Sequence, residues 1–147
     1  MHLQVGVKVL LKNNEGKFLL ICRSAEKYKD VLQKWDIPGG RIDPGKTLID
    51  NLEREVMEET NLRLKNNPRL VGAQDIIPNS EKHVVRLTYI GEAEGELRLS
   101  EEHTEFGWFE LKELHSMENL DKYLQALLAD LEENETDVKS ALGAASS

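Results

Sequence analysis

Residues 38–62, PGGRIDPGKTLIDNLEREVMEETNL, carry a helical pattern whose apolar stripe is broken by acids. Thr47 with Asp50 three residues on matches a capping-box start, and Asn61 suits a left-handed helix end. The spacing therefore predicts a helix from Thr47 to about Asn61. At about 100° per residue, Leu48, Ile49, Leu52 and Val56 share an arc roughly 100° wide that must face a core. Glu59 falls inside that arc, Glu55 lies about 20° outside its edge, and Glu58 sits roughly 60° further round. Three ionised carboxylates at i, i+3 and i+4 repel one another, and an unpaired charge is costly to bury. A divalent cation at the edge of the core resolves both problems, and oxygen donors without thiolates suit Mg2+ or Mn2+. The alternative is a solvated acidic helix end, which would set negative charge against the dipole at the helix C-terminus.

The flanking chain supplies a sheet. Leu3, Val5, Val7, Val9 and Leu11 recur at period two, and NNEG at 13–16 turns the chain into the apolar run KFLLIC, so a hairpin is expected. Three further extended segments, RLVGAQDII, HVVRLTYIGEAEG and EFGWFEL, follow the helix. Leu120, Leu124, Leu127, Leu128 and Leu131 then recur at helical spacing, which predicts a covering helix over about 119–133. Strands before and after a central helix predict a mixed sheet between helices, an α/β domain over residues 1–133. The patternless tail, 134–147, is expected to be disordered.

A chain of 147 residues with 19 Lys plus Arg against 27 Asp plus Glu carries a net charge of -8, which repels nucleic acid and anionic membrane unless a cation intervenes. Any phosphate-bearing ligand is expected to arrive with a metal. The lone Cys22 cannot form an internal disulfide, and no signal-like segment or long apolar run is present, so a cytoplasmic protein without a membrane span is expected.

These residues carry a resemblance. The chain is similar to the Nudix hydrolases (MutT-like), whose box reads GX5EX7REUXEEXGU with U a bulky aliphatic residue. Gly40, Arg54, Glu55, Val56, Glu58, Glu59 and Leu62 match it in register, and WDIPGG ahead of it is also typical. The sequence departs at Lys46, where the pattern has Glu, and at Asn61, where it has Gly. The resemblance implies the Nudix fold, a mixed β-sheet sandwiched between α-helices. It also implies Mg2+-dependent hydrolysis of a pyrophosphate bond in a small-molecule nucleotide, with Mn2+ able to substitute. Gly40 through its carbonyl, Glu55, Glu58 and Glu59 would hold the metal. Glu58, Glu59, Arg54 and Glu102 would serve catalysis, Arg54 by orienting the acids.

Arg23 at the end of the second strand and Lys46 are the expected substrate contacts, since both could meet phosphate. His103 reads as a local hydrogen-bonding residue, Trp35 as a packing anchor and Cys22 as a small core residue. A nucleoside triphosphate or an ADP-sugar such as ADP-ribose ranks first as substrate. A dinucleoside polyphosphate hydrolase, a non-catalytic nucleotide-sensing module with a degraded box and a diphosphate isomerase are the alternatives. The oligomeric state stays open, a homodimer included.

Overall fold

The computed structural model describes residues 1–23 and 34–133. The tail from residue 134, expected to be disordered, lies outside the described residues. β1 (His2–Lys12) and β2 (Phe18–Arg23) form the expected hairpin, joined where Asn13 Oδ1 accepts the amides of Glu15 and Lys17. β3 (Trp35–Asp36) and β4 (Gly39–Arg41) are two short strands with no counterpart in the sequence pattern. Then come α1 (Leu48–Thr60), β5 (Arg63–Asn79), β6 (Lys82–Glu94), β7 (His103–Phe109), α2 (Leu111–Ser116) and α3 (Lys122–Glu133).

The strands make one mixed sheet in the order β3-β2-β1-β6-β5, with β4 on β1 and β7 on β2. β1 lies parallel to β6 along its whole length, from His2↔Lys82 to Lys12↔Glu92. On its other side β1 is forked. Its last residue meets β2 at Lys12↔Phe18, whereas Gly6, Val7 and Lys8 pair with Arg41, Gly40 and Gly39 of β4.

Period-two alternation places the two cores. Val7, Val9, Leu11, Leu19 and Ile21 face one way and pack with Leu52, Val56 and Leu62; Leu10, Phe18 and Leu20 face the other and pack with Leu114, Leu120, Leu124, Leu127 and Leu128. The sheet is thus sandwiched between α1 and the α2–α3 pair, the α/β layering that the resemblance implies. Both faces are covered, which explains why FLLIC is apolar at every position.

Several boundaries shift for local reasons. β5 begins at Arg63, well before the expected RLVGAQDII, because the irregularity around Pro68 is absorbed by a register shift between Lys65 and Arg69 with Asn66 at φ 57. EFGWFEL stops at Phe109: Glu110 and Glu113 form a capping box that starts α2, an element that hydrophobic periodicity alone does not reveal. α3 begins at Lys122, where Asp121 Oδ2 accepts the amides of Tyr123 and Leu124. No helix among the described residues is long and apolar enough to cross a membrane.

Candidate functional site

The fork in β1 creates the site. It admits β4, and β4 brings the Gly39–Gly40 backbone against the last two turns of α1. Gly39 sits at φ 144, where a Cβ would overlie the Val7 carbonyl oxygen and lie 2.7 Å from Lys8 Cα. At Gly40 a Cβ would stand 2.7 Å from the Glu55 carboxyl carbon, so glycine there leaves room for the acid. The Gly39 amide donates to Glu59 Oε1 at 2.8 Å. α1 itself is set as expected, with Thr47 Oγ1 accepting the Asp50 amide and Asn61 closing the helix at φ 64.

Burial sorts the three acids as the helical wheel predicts. The Glu59 side chain is only 12% exposed, Glu55 18% and Glu58 57%. Burial pushes the Glu59 carboxyl up to about 7; Lys8, the Gly39 amide and Arg23 oppose the shift and Glu55 adds to it. Burial also raises Glu55, against the pull of Arg54, with Glu58 adding to the rise. Lys8 is held near them by Asp36 Oδ2 at 3.2 Å and the Ile37 carbonyl at 3.1 Å. His103 is buried, with Nε2 3.5 Å from Glu59 Oε2 and Nδ1 3.3 Å from Ser100 Oγ. Burial, with Arg23 and Lys8, lowers its pKa to about 4, so it stands neutral beside Glu59 near pH 7.

Arg54 binds the acids from the outer side. Its Nη1 meets both oxygens of Glu58 at 3.0 Å, and its Nη2 meets Glu55 Oε1 at 3.0 Å and Asp43 Oδ2 at 3.2 Å. The Glu58 hydrogen bond raises the Arg54 pKa and keeps the guanidinium charged. Glu58 is thereby turned toward Arg54, and among the described residues no three His, Cys, Asp or Glu side chains form a closed metal cage. Glu55 and Glu59 do converge on the Gly39–Gly40 backbone. Two carboxylates beside a backbone turn fit a cation such as Mg2+, which takes few protein ligands and completes its shell with water and phosphate.

Beyond β4 the site opens into a cavity of about 460 Å3 whose wall includes Gly39 and Gly40. Six cationic residues line it, Lys8, Arg23, Lys34, Arg41, Lys82 and Arg86, against two acids, Asp36 and Asp121. A chain of net charge -8 has gathered positive charge in one concavity. On the far wall Asp121 Oδ2 holds Arg86 Nη1 at 3.0 Å, and the Arg86 guanidinium lies 5.5 Å from the centre of the Tyr123 ring.

The structure therefore brings together Gly40, Arg54, Glu55, Glu58, Glu59 and Arg23. Glu102 is exposed on the turn ahead of β7, where its charge opposes the lowering of the His103 pKa by burial. Lys46 stands exposed in the Asp43–Lys46 turn and is not part of the cavity wall. Sequence reasoning missed Lys8, Asn51, Arg86, Asp121 and Tyr123. Lys8, a charge inside the apolar VGVKVLL, was the available signal. Asn51, which lies about 40° beyond Glu55 on the same helix edge, was another.

The family description "NUDIX domain" matches residues 2–131. The crystal structure of a MutT protein from Methanosarcina mazei Go1 is 29% identical, superposes with a TM-score of 0.77, and covers 90% of this chain and 95% of its own. A Bacillus subtilis (strain 168) protein assigned as an 8-oxo-dGTP diphosphatase is 42% identical over 55 residues, 37% of this chain and 33% of that protein. An RNA pyrophosphohydrolase of Bartonella bacilliformis (strain ATCC 35685 / KC583 / Herrer 020/F12,63) is 34% identical over 64 residues, 42% of this chain and 38% of that protein. The chain thus spans only about a third to two fifths of the length of these two curated relatives.

Proposed function

The chain belongs to the NUDIX domain family, and on that premise we propose that it hydrolyses a pyrophosphate bond in a nucleoside triphosphate with the help of a divalent cation, Mg2+ first. The observation that carries this reading is the position of Glu55 and Glu59, two largely buried acids against the Gly39–Gly40 backbone, whose two glycines also form part of the wall of a cationic cavity. A cation bound there would neutralise phosphate oxygens and activate water. Glu55, Glu59 and the Gly40 carbonyl are its holders. Arg54 keeps Glu55 and Glu58 oriented by charge-assisted hydrogen bonds. Glu58, the most exposed of the three, and Glu102 are the carboxylates assigned to accept a proton from water. Arg23 meets phosphate from the sheet side. Lys46, off the wall, has no role in this reading.

An excess of four cationic over acidic residues in the wall, six against two, favours a triphosphate over an ADP-sugar, because binding strengthens with each paired phosphate charge. The names of the two curated relatives, an 8-oxo-dGTP diphosphatase and an RNA pyrophosphohydrolase, agree with a pyrophosphate bond in a nucleotide or an RNA as the target. The cavity volume falls in the usual range of small-molecule sites, so a free nucleotide is the first choice. Incubation with Mg2+ and each nucleoside triphosphate, ADP-ribose and diadenosine polyphosphate should release a nucleoside monophosphate from a triphosphate. EDTA should abolish this and Mg2+ or Mn2+ restore it. Nucleotide binding without turnover of any of them would replace the hydrolase with a sensing module.

Metal affinity should also depend on pH with a definite sign. The carboxylate must be ionised to bind, and Glu59 without metal titrates at about 7. Each unit below pH 7 should weaken Mn2+ binding about tenfold, with a plateau above it. Calorimetric titration from pH 5.5 to 8 checks this, and a flat profile would remove Glu59 from the holders.

A further inference from the structure

Asn51 is fully buried near the start of α1, where any apolar residue would serve packing and helix formation at least as well. Every hydrogen bond of its side chain leads to the site. Oδ1 accepts from the Asp43 amide at 3.0 Å and from Arg54 Nη2 at 3.2 Å, and Nδ2 donates to the Arg41 carbonyl at 3.2 Å. One side chain thus touches the backbone directly after Gly40, the turn that carries Asp43, and the guanidinium that holds Glu55 and Glu58.

We propose that Asn51 is a positioning residue that fixes the Arg54 fork on its inner side, with Asp43, itself held by Asn51, fixing it on the outer side. Arg54 is 35% exposed and rides on a flexible stem, so its direction is decided by what grips it. Asn51 grips through a neutral oxygen in the interior, and Asp43 through a carboxylate at the surface. Together they aim Nη2 at Glu55. Through Arg41, Asn51 also holds the Gly40 backbone at a fixed distance from α1. Asp43 further accounts for Lys46, one of the two positions where the sequence departs from the family pattern. The amide of Lys46 donates to the Asp43 carbonyl at 3.1 Å within one turn, so the turn delivers its carboxylate to Arg54 from position 43 in place of 46. Arg54 Nε is buried without a hydrogen-bond partner among the described residues, a donor still available to a second carboxylate in that turn.

The inference rests on the functional reading above, and the test separates the two. Asn51→Leu keeps the branching and number of side-chain heavy atoms and removes all three hydrogen bonds. It should weaken Mn2+ binding, and lower kcat on the triphosphate, by about 10- to 100-fold, while KM stays within about twofold. In an Arg54→Ala background the same change should cost clearly less in kcat than it does alone, because the larger part of its effect passes through Arg54 and only the hold on Arg41 remains. Asp43→Ala, at an exposed turn where folding is not at stake, should lose about 3- to 10-fold in kcat, and Lys46→Glu added to it should restore most of that. Full additivity of Asn51→Leu with Arg54→Ala, or unchanged Mn2+ affinity in both Asn51→Leu and Asp43→Ala, overturns the proposal. Weakened Mn2+ binding in a protein that turns over no substrate overturns the hydrolase reading and leaves the positioning role standing.

Discussion

Glu59→Gln should lower kcat by at least about 100-fold while leaving the fold as stable as before or more so. Glutamine has nearly the shape of glutamate and can still accept the Gly39 amide through its carbonyl oxygen. It lacks the negative charge that attracts a cation. The stability side follows from the raised pKa. A carboxyl at about 7 in the fold and near 4.5 when unfolded contributes stability that is fully present below 4.5 and lost as pH rises through 7. At pH 8 the ionised Glu59 therefore works against the metal-free fold, by up to roughly 3 kcal/mol for so deeply buried a group. The variant should melt at or above the wild-type temperature at pH 8 without metal, while losing activity with metal. A variant that loses stability and activity together would point to a packing role for Glu59.

Gly39→Ala should destabilise the domain by about 3 to 5 kcal/mol, enough to unfold much of it at physiological temperature. Two penalties act together. The backbone at φ 144 disfavours any side chain, and the new Cβ meets the Val7 carbonyl and Lys8 Cα, which belong to the central strand and cannot swing aside. Gly40→Ala is the control. Its Cβ meets the carboxyl end of Glu55, a flexible side chain, so it should displace that acid and weaken metal binding at much smaller cost to stability. Urea denaturation of both variants checks the contrast, and equal stabilities would show that β4 can shift away from β1.

What the sequence reveals and what it hides divide along physical lines. Thr47, Leu52, Val56 and Asn61 are legible because capping and helical periodicity are local, and the same periodicity orders Glu59, Glu55 and Glu58 by burial. β3 and β4 are illegible: strands of two and three residues have no period to detect, and only their pairing with β2 and β1 makes them strands. The cavity is hidden for a related reason. Lys8, Arg86 and Tyr123 are far apart in the chain, and the parallel β1–β6 register brings Gly6 opposite Arg86, beside the Lys8–Gly39 pair. Asn51 looks like one more polar helix residue, and Asp43 like part of an ordinary turn. Their meaning lies in the hydrogen bonds they exchange with each other and with Arg54.

The same parallel register sets the order in which the molecule can be completed. β1 is the first of these strands to leave a ribosome, and its long partner, β6, begins only at Lys82. At about 5–20 residues per second the nascent chain carries that strand for several seconds with one edge unpaired. Closing so distant a contact is also entropically slow. Since β4 docks on the opposite edge of β1, the Gly39–Gly40 backbone has no rigid floor until that late pairing is made. The acids of α1 are made early, but the strand beneath them can gain its second edge only after β6 has followed.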